Sequence, residues 1–334
     1  MAAANQSHGN KGTVSLKILL AVDDSPYSEK ATHTLKAFKL TSRTEVKVMT
    51  VVPEHIFLGG ITLHMFRGEA AARERTRKAQ QRKAAELLQE PLEMLRASGA
   101  KVESLLCWGR PTEQIVKQAH EMRADLVVIG AKGAGDPERF PLGSVAQKVM
   151  KYADASVLLV REKTATIRRV LIATDGSKYS DDVVRFLLDL PLPRNSQVFL
   201  ITALQSWSPA LMKTYTMNLE TDQNILNELQ AAEEERARGL MTNTRKQFQR
   251  KGYYTESLVL RGEPAEEILM AAKTLNPDLI AVGAKGLTGI ENFLLGSVAQ
   301  RVARFSSCSV LIGRAPRRPS RRRAVAPGQR KEQK

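Results

Sequence analysis

Two short stretches of this sequence carry residue types that could hold an anion by main chain alone. Gly130-Ala131-Lys132-Gly133 is followed by nine residues and then Gly143-Ser144, and Gly283-Ala284-Lys285-Gly286 is followed by nine residues and then Gly296-Ser297. Order and spacing are the same in both. Glycine lets a backbone approach a ribose or a phosphate because no Cβ intervenes. A Gly-Ser pair opening a helix would offer unpaired N–H groups, the positive end of the helix dipole and a capping hydroxyl to the same anion. Such a pattern arises by chance roughly once per hundred chains of this size, so two copies point to a built site. A tight turn that holds no ligand is the plainer alternative. Two other phosphate motifs do not fit. No G-x-x-x-x-G-K-[ST] is present, and Gly133-Ala134-Gly135 lacks the third glycine of a dinucleotide fingerprint, with glutamate at 138.

The two stretches belong to a repeat of the whole chain at an offset of 152 to 153 residues. Leu126 to Arg161 aligns with Leu279 to Arg314, and the GAKG and LGSVAQ blocks match residue for residue. Upstream, Ile18–Asp23 corresponds to Leu171–Asp175, each followed two residues on by a serine, Ser25 and Ser177. Gly109-Arg110-Pro111 likewise corresponds to Gly262-Glu263-Pro264. A period this long means a duplicated domain, not a solenoid.

Positioning such loops requires strands that deliver them to one end of a sheet. Short apolar runs alternate with longer helical patterns, which argues for βαβ units around a parallel sheet. Strands are expected at Lys17–Val22, Val46–Val52, Val102–Leu106, Leu126–Gly130 and Ser156–Val160, with counterparts at Val170–Thr174, Val198–Leu204, Ser257–Leu260, Leu279–Gly283 and Ser309–Gly313. Helices are expected in the first half near Ser28–Lys39, Arg67–Ser98, Thr112–Met122 and Ser144–Tyr152. Near-continuous apolar strands imply an open, doubly wound sheet with helices on both faces. Ligands then bind beyond the carboxyl ends of the strands, where both glycine loops fall. Each fifth strand would leave an apolar edge, so the two edges are expected to meet antiparallel about a pseudo-twofold axis.

Gly-x2-Gly-x9-Gly-Ser after the fourth strand, with an aspartate ending the first, resembles the universal stress protein family in a tandem two-domain form. The resemblance covers residues 14–163 and 166–314, leaving 1–13 and 315–334 as tails expected to be disordered. It implies two flavodoxin-like, Rossmann-like α/β domains, each a five-stranded parallel sheet of order 3-2-1-4-5, and ATP, with Mg²⁺ as counter-ion, in the motif-bearing branch. By position, Asp23 and Asp175 would hold ribose, Val51 and Ala203 would line the adenine pocket, and Ile129 and Val282 would pack nearby. Gly130, Gly133, Gly143, Ser144 and Val145, with Gly283, Gly286, Gly296, Ser297 and Val298, would hold ribose and phosphates. The inserts differ. Leu287 to Leu295 resembles the usual apolar family insert, whereas Ala134 to Leu142 carries Asp136, Glu138, Pro137 and Pro141 near the place of the triphosphate. The second site is therefore expected to bind ATP more tightly.

The formal charge of +16 is half accounted for by the tail, which from Arg314 onward holds nine basic residues and one acid. With Pro316, Pro319 and Pro327 and little that is apolar, it cannot build a core. It reads as a solubilising end or as a weak tether to RNA, a ribosome or another anionic surface; no aromatic interleaves with its arginines to stack on bases. Cys107 and Cys308 are too few for a disulfide framework and read as core thiols. His55 and His64, in an expected loop, lack metal-ligand spacing, and no serine or cysteine triad is evident, so no catalytic residue is assigned. Absence of a leader or an 18-residue apolar span points to the cytoplasm. The favoured reading is an ATP-binding stress or signalling protein acting by conformation or partner binding, with a further homodimer left open. The alternatives are an enzyme of the same broad fold, such as a slow ATPase, adenylyltransferase or ATP pyrophosphatase, and a protein associated with RNA or an anionic surface through its tail. The first-strand loops, DDSPYS and DGSKYS, contain neither a histidine nor a Gly/Ser-rich turn of the kind those enzymes would use.

Overall fold

The computed structural model describes residues 15–53, 55–58, 61–64, 70–136, 141–161, 166–204, 223–286 and 294–315. The first half runs β1 (Leu16–Ala21), α1 (Pro26–Ala37), β2 (Thr44–Val52), β3 (His55–Leu58), β4 (Ile61–His64), α2 (Ala70–Arg96), β5 (Lys101–Trp108), α3 (Pro111–Glu121), β6 (Leu126–Gly130), α4 (Ser144–Tyr152) and β7 (Ser156–Val160). The second runs β8 (Arg169–Ala173), α5 (Lys178–Asp189), β9 (Gln197–Leu204), α6 (Gln223–Arg250), β10 (Tyr254–Arg261), α7 (Pro264–Leu275), β11 (Leu279–Gly283), α8 (Ser297–Phe305) and β12 (Ser309–Gly313). The tails expected to be disordered lie outside the described residues, apart from Ala315.

All ten long strands form one sheet in the order β10-β9-β8-β11-β12-β7-β6-β1-β2-β5. Each half has the expected order 3-2-1-4-5, parallel throughout. The halves join where β7 and β12 pair antiparallel, Leu158 opposite Leu311. Alternation along each strand sends successive residues to opposite faces. In β6, Val127 and Ile129 enter one apolar cluster while Leu126 and Val128 enter the other. Both clusters cross the seam. Val157 and Leu159 of β7 share one with Val310 and Ile312 of β12, and Leu158 shares the other with Leu311. Burial of both faces is why these strands read as unbroken apolar runs.

Two arginines lock the seam. The Arg161 guanidinium donates to Pro141 O at 2.8 Å in its own half and to Ala303 O and Arg304 O at the end of α8. Arg314 makes the mirror-related contacts, donating to Leu294 O at 3.2 Å and to Met150 O near the end of α4. Each cation thus meets the carbonyl end of the opposite half's helix, where the macrodipole is negative. Arg314, counted above with the tail, is therefore part of the fold, and burial lowers its pKa from the ordinary arginine value.

One local expectation is overturned. His55 and His64 lie not in a loop but opposite each other in a two-stranded antiparallel ladder, β3 with β4. The signal was Gly59-Gly60 between HIFL and ITLH, two β-rich runs joined by a dipeptide suited to hairpin turns.

Candidate functional site

Strand order reverses between β1 and β6 in the first half and between β8 and β11 in the second, which opens a crevice at the carboxyl ends of each pair. Asp23 and Asp175 follow the first strand of each pair, and Gly130 and Gly283 end the other. The motif glycines serve contact, since none is among the glycines with positive φ. A Cβ on Gly130 would lie 2.6 Å from Tyr27 Cβ, and one on Gly283 would lie 3.1 Å from the Tyr179 carbonyl carbon. The first glycine of each motif thus seats its strand end against the start of the helix that follows the neighbouring first strand, α1 or α5. A Cβ on Gly133 or Gly286 would lie 2.8 Å from Oδ2 of Asp23 or Asp175. The second glycine therefore lets the loop rest on the aspartate.

Helices α4 and α8 begin the same way. Gly143 and Gly296 are the N-caps, and each donates its own N–H back to the alanine after the strand, Ala131 O at 2.8 Å and Ala284 O at 2.7 Å. Ser144 and Ser297 are the first helical residues, exposed, and the N-cap residues, being glycines, offer no capping side chain of their own. The expected capping hydroxyl is thus corrected: the glycine carbonyls already accept the first helical bonds, from Gln147 N and Gln300 N at 3.0 Å. Those glutamines also brace the inserts, donating from Nε2 to Leu142 O at 3.1 Å and Leu295 O at 3.2 Å. Their place in the identical LGSVAQ blocks was the signal for that role.

In the first half the space between loop and helix is filled. Asp136 accepts from Gly133 N at 2.7 Å through one carboxylate oxygen and from Ser144 N at 3.2 Å through the other. A Cβ on Gly143 would collide with that carboxylate. At the equivalent glycine of the second half, Gly296, the nearest atoms to such a Cβ among the described residues are backbone, Lys285 Cα at 3.3 Å and Ala284 O at 3.4 Å. Among the described residues no side chain accepts from Gly286 N or Ser297 N.

Both aspartates beyond the first strands accept hydrogen bonds from their own loops. Asp23 Oδ1 accepts from the hydroxyls of Ser25 at 2.5 Å and Ser28 at 2.6 Å, while Oδ2 accepts from Ala134 N at 3.1 Å. Asp175 Oδ1 accepts from Ser177 N at 2.9 Å. Ser25 and Ser177 cap α1 and α5 through Ser28 N and Ser180 N. The rim of the first crevice is tied to α2 by Lys83 on Asp24 at 2.7 Å, and the carboxylate raises the lysine pKa.

Val51 and Ala203 sit half-buried near the ends of β2 and β9. Ile129 and Val282 are buried in the core cluster as walls, and Val145 and Val298 pack half-buried against it. Lys285 Nζ lies 5.7 Å from the Tyr179 ring centroid. Cys107 and Cys308 are half-buried against the core, and burial pushes both thiols up, which keeps them protonated and weakly nucleophilic. Among the described residues no group of acids, cysteines and histidines could hold a metal ion, and no helix is long and apolar enough to cross a membrane.

Fold and crevice together define a tandem of doubly wound α/β domains whose helix N-termini and glycine loops face one crevice in each half. The chain belongs to the universal stress protein family, whose model matches residues 16–161 and 166–314. It is 28% identical over 148 residues to universal stress protein YxiE of Bacillus subtilis, covering 44% of this chain and 98% of that one. It is 30% identical over 200 residues to a universal stress protein of Mycolicibacterium smegmatis, covering 57% and 62%. Among solved structures, a universal stress protein from Archaeoglobus fulgidus matches the fold with a TM-score of 0.59 at 21% identity, covering 90% of this chain and 98% of that one.

Proposed function

We propose that this chain is a cytoplasmic ATP-binding stress-response protein whose output is a change of conformation or of partner, not turnover of a metabolite. The observation that carries the reading is the convergence of the Gly133 and Ser144 amides on one carboxylate. A backbone that gathers an anion at a helix N-terminus in one half, and repeats the same loop without that acid in the other, suits a phosphate. ATP would lie with its phosphates between Gly286 and Ser297 and its ribose at Asp175, with Ala203 toward the base. The residues present fit that group: the amides and the dipole supply positive potential, and glycine leaves room. Mg²⁺ would arrive on the triphosphate, its charge offsetting that of the phosphates. The pairing of β7 with β12 supports reading the two halves as an intramolecular pseudo-dimer, in which a bound ligand would act on one continuous sheet.

Hydrolysis is expected to be slow. Phosphoryl transfer needs an oriented nucleophile and a donor for the charge that develops on the transferred group. Around the second loop the described residues supply amides, the Ser297 hydroxyl and Lys285, and the carboxylate beside them, Asp175, is assigned to the ribose and not to a water. Mass spectrometry of nucleotide released from freshly purified protein should detect ATP; its consistent absence, with no calorimetric heat on adding Mg·ATP, would overturn the reading. A phosphate-release assay with Gly286→Val as contaminant control should show less than about one turnover per minute. Turnover of several per second, lost in the variant, would make the chain an enzyme.

A further inference from the structure

We propose that Asp136 closes the first cradle to phosphate, so that the chain holds one nucleotide, in its second half. The inference rests on the nucleotide reading above and assigns a specificity-determining residue within it. Three observations carry it.

The first is saturation of the donors. Gly133 N–H and Ser144 N–H, the groups that would meet phosphate oxygens, both donate to the Asp136 carboxylate. Each has one hydrogen, so a phosphate must displace the acid or forgo the bonds. The second is space. The carboxylate lies so close to Gly143 that even a Cβ there would collide with it, so the volume that glycine leaves free is already taken. The third is the comparison within the chain. At the repeat offset, Asp136 corresponds to Gly289, so the second half has no acid at this place in the sequence.

An internal carboxylate has a large advantage over a free ligand. Asp136 is tethered three residues from Gly133 in the same loop, so it loses no translational freedom on binding. Should it swing aside, its charge would remain beside any phosphate that entered. Asp23 is occupied within the same loop. Both of its oxygens are engaged by Ser25, Ser28 and Ala134 N, and the last bond pulls the loop down over the aspartate that would otherwise face a ribose.

The test is stoichiometry of Mg·ATP binding by calorimetry on the full chain. Wild type should bind one equivalent, Asp136→Gly two, Gly286→Val none, and Asp136→Gly/Gly286→Val one, with affinity for the first cradle rising at least about 100-fold on removal of the acid. Two equivalents on wild type, or one on Asp136→Gly, would overturn the proposal and leave the nucleotide reading standing. No binding by any of the four would overturn both. Asp136→Asn, which keeps the side-chain size while removing the charge, guards against a folding defect in the glycine variant and should also gain the second equivalent, more weakly. A readout without nucleotide follows the same contact: the Gly133 and Ser144 amides should exchange with solvent faster in Asp136→Gly than in wild type. Unchanged exchange would show that the carboxylate does not hold them and would overturn the proposal.

Discussion

The two cradles share a backbone and differ in what stands inside it. In both, a glycine seats the strand end against the helix that follows the neighbouring first strand, a second glycine rests the loop on an aspartate, and a third caps the helix. Those contacts are internal to the fold, so packing maintains them whether or not a ligand ever binds. On the reading proposed above, ligand access is decided by the insert between loop and helix, whose last residue, Leu142 or Leu295, is buried in the core while Asp136 is not. One acid there, on the same reading, would convert an anion site into a self-satisfied turn. A motif therefore reports that the framework is present, and the residues between its glycines report whether it is open.

The largest expected difference between the halves is in ATP binding. Gly286→Val forces a side chain onto Asp175 and should lower affinity at least about 100-fold, whereas Gly133→Val should leave the measured stoichiometry nearly unchanged. Calorimetry on folded variants checks both, and equal losses would erase the distinction between the cradles.

The next effect concerns what the halves share. Arg161→Ala and Arg314→Ala each remove charge-assisted bonds that span the seam and leave helix carbonyls without that donor. Each should cost about 2 kcal/mol, measured by urea unfolding, and the double variant should broaden or split the transition. A single sharp transition of wild-type stability would mean that the seam rests on the β7–β12 pairing and the apolar clusters alone.

The smallest effect concerns α5 in the second half. Asp182 on α5 is buried where the first half has Lys30 on α1, and its Oδ2 has no hydrogen-bond partner. Burial raises its pKa, with Arg185 at 3.9 Å pulling the other way. A carboxyl with a raised folded pKa favours folding at low pH and loses that contribution as pH climbs from its unfolded value, about 3.9, through the raised folded one. Asp182→Asn should thus melt a few degrees higher than wild type at pH 7, with the advantage disappearing near pH 3. An advantage that does not change with pH would place the effect in packing instead of charge.

Much of this architecture was legible in the residues. The repeat, the alternation of apolar runs with helical patterns and the punctuation by glycine are local or periodic signals, and the fourth and fifth strands of both halves fall on the expected residues. Boundaries were poorer at β5 and β10, the outer strands, where Lys101, Glu103, Tyr254 and Glu256 are exposed and the apolar run is diluted. The hairpin at residues 55–58 and 61–64 had its dipeptide signal. Asp136 was visible as a charge in the wrong place, but its two amide partners were not.

Order along the chain was enough to establish two domains, a doubly wound sheet in each, and a glycine loop delivered to a helix start, because periodicity, duplication and glycine spacing are properties of that order. Folding in three dimensions settled the rest: where the Asp136 carboxylate sits, that Ser144 and Ser297 follow the cap and do not form it, and that Arg161 and Arg314 reach across to the opposite helices. These depend on directions and distances between groups far apart in sequence or free to turn, to within a few tenths of an ångström. Hydrogen bonds depend on that placement, because they weaken steeply once donor and acceptor are misaligned.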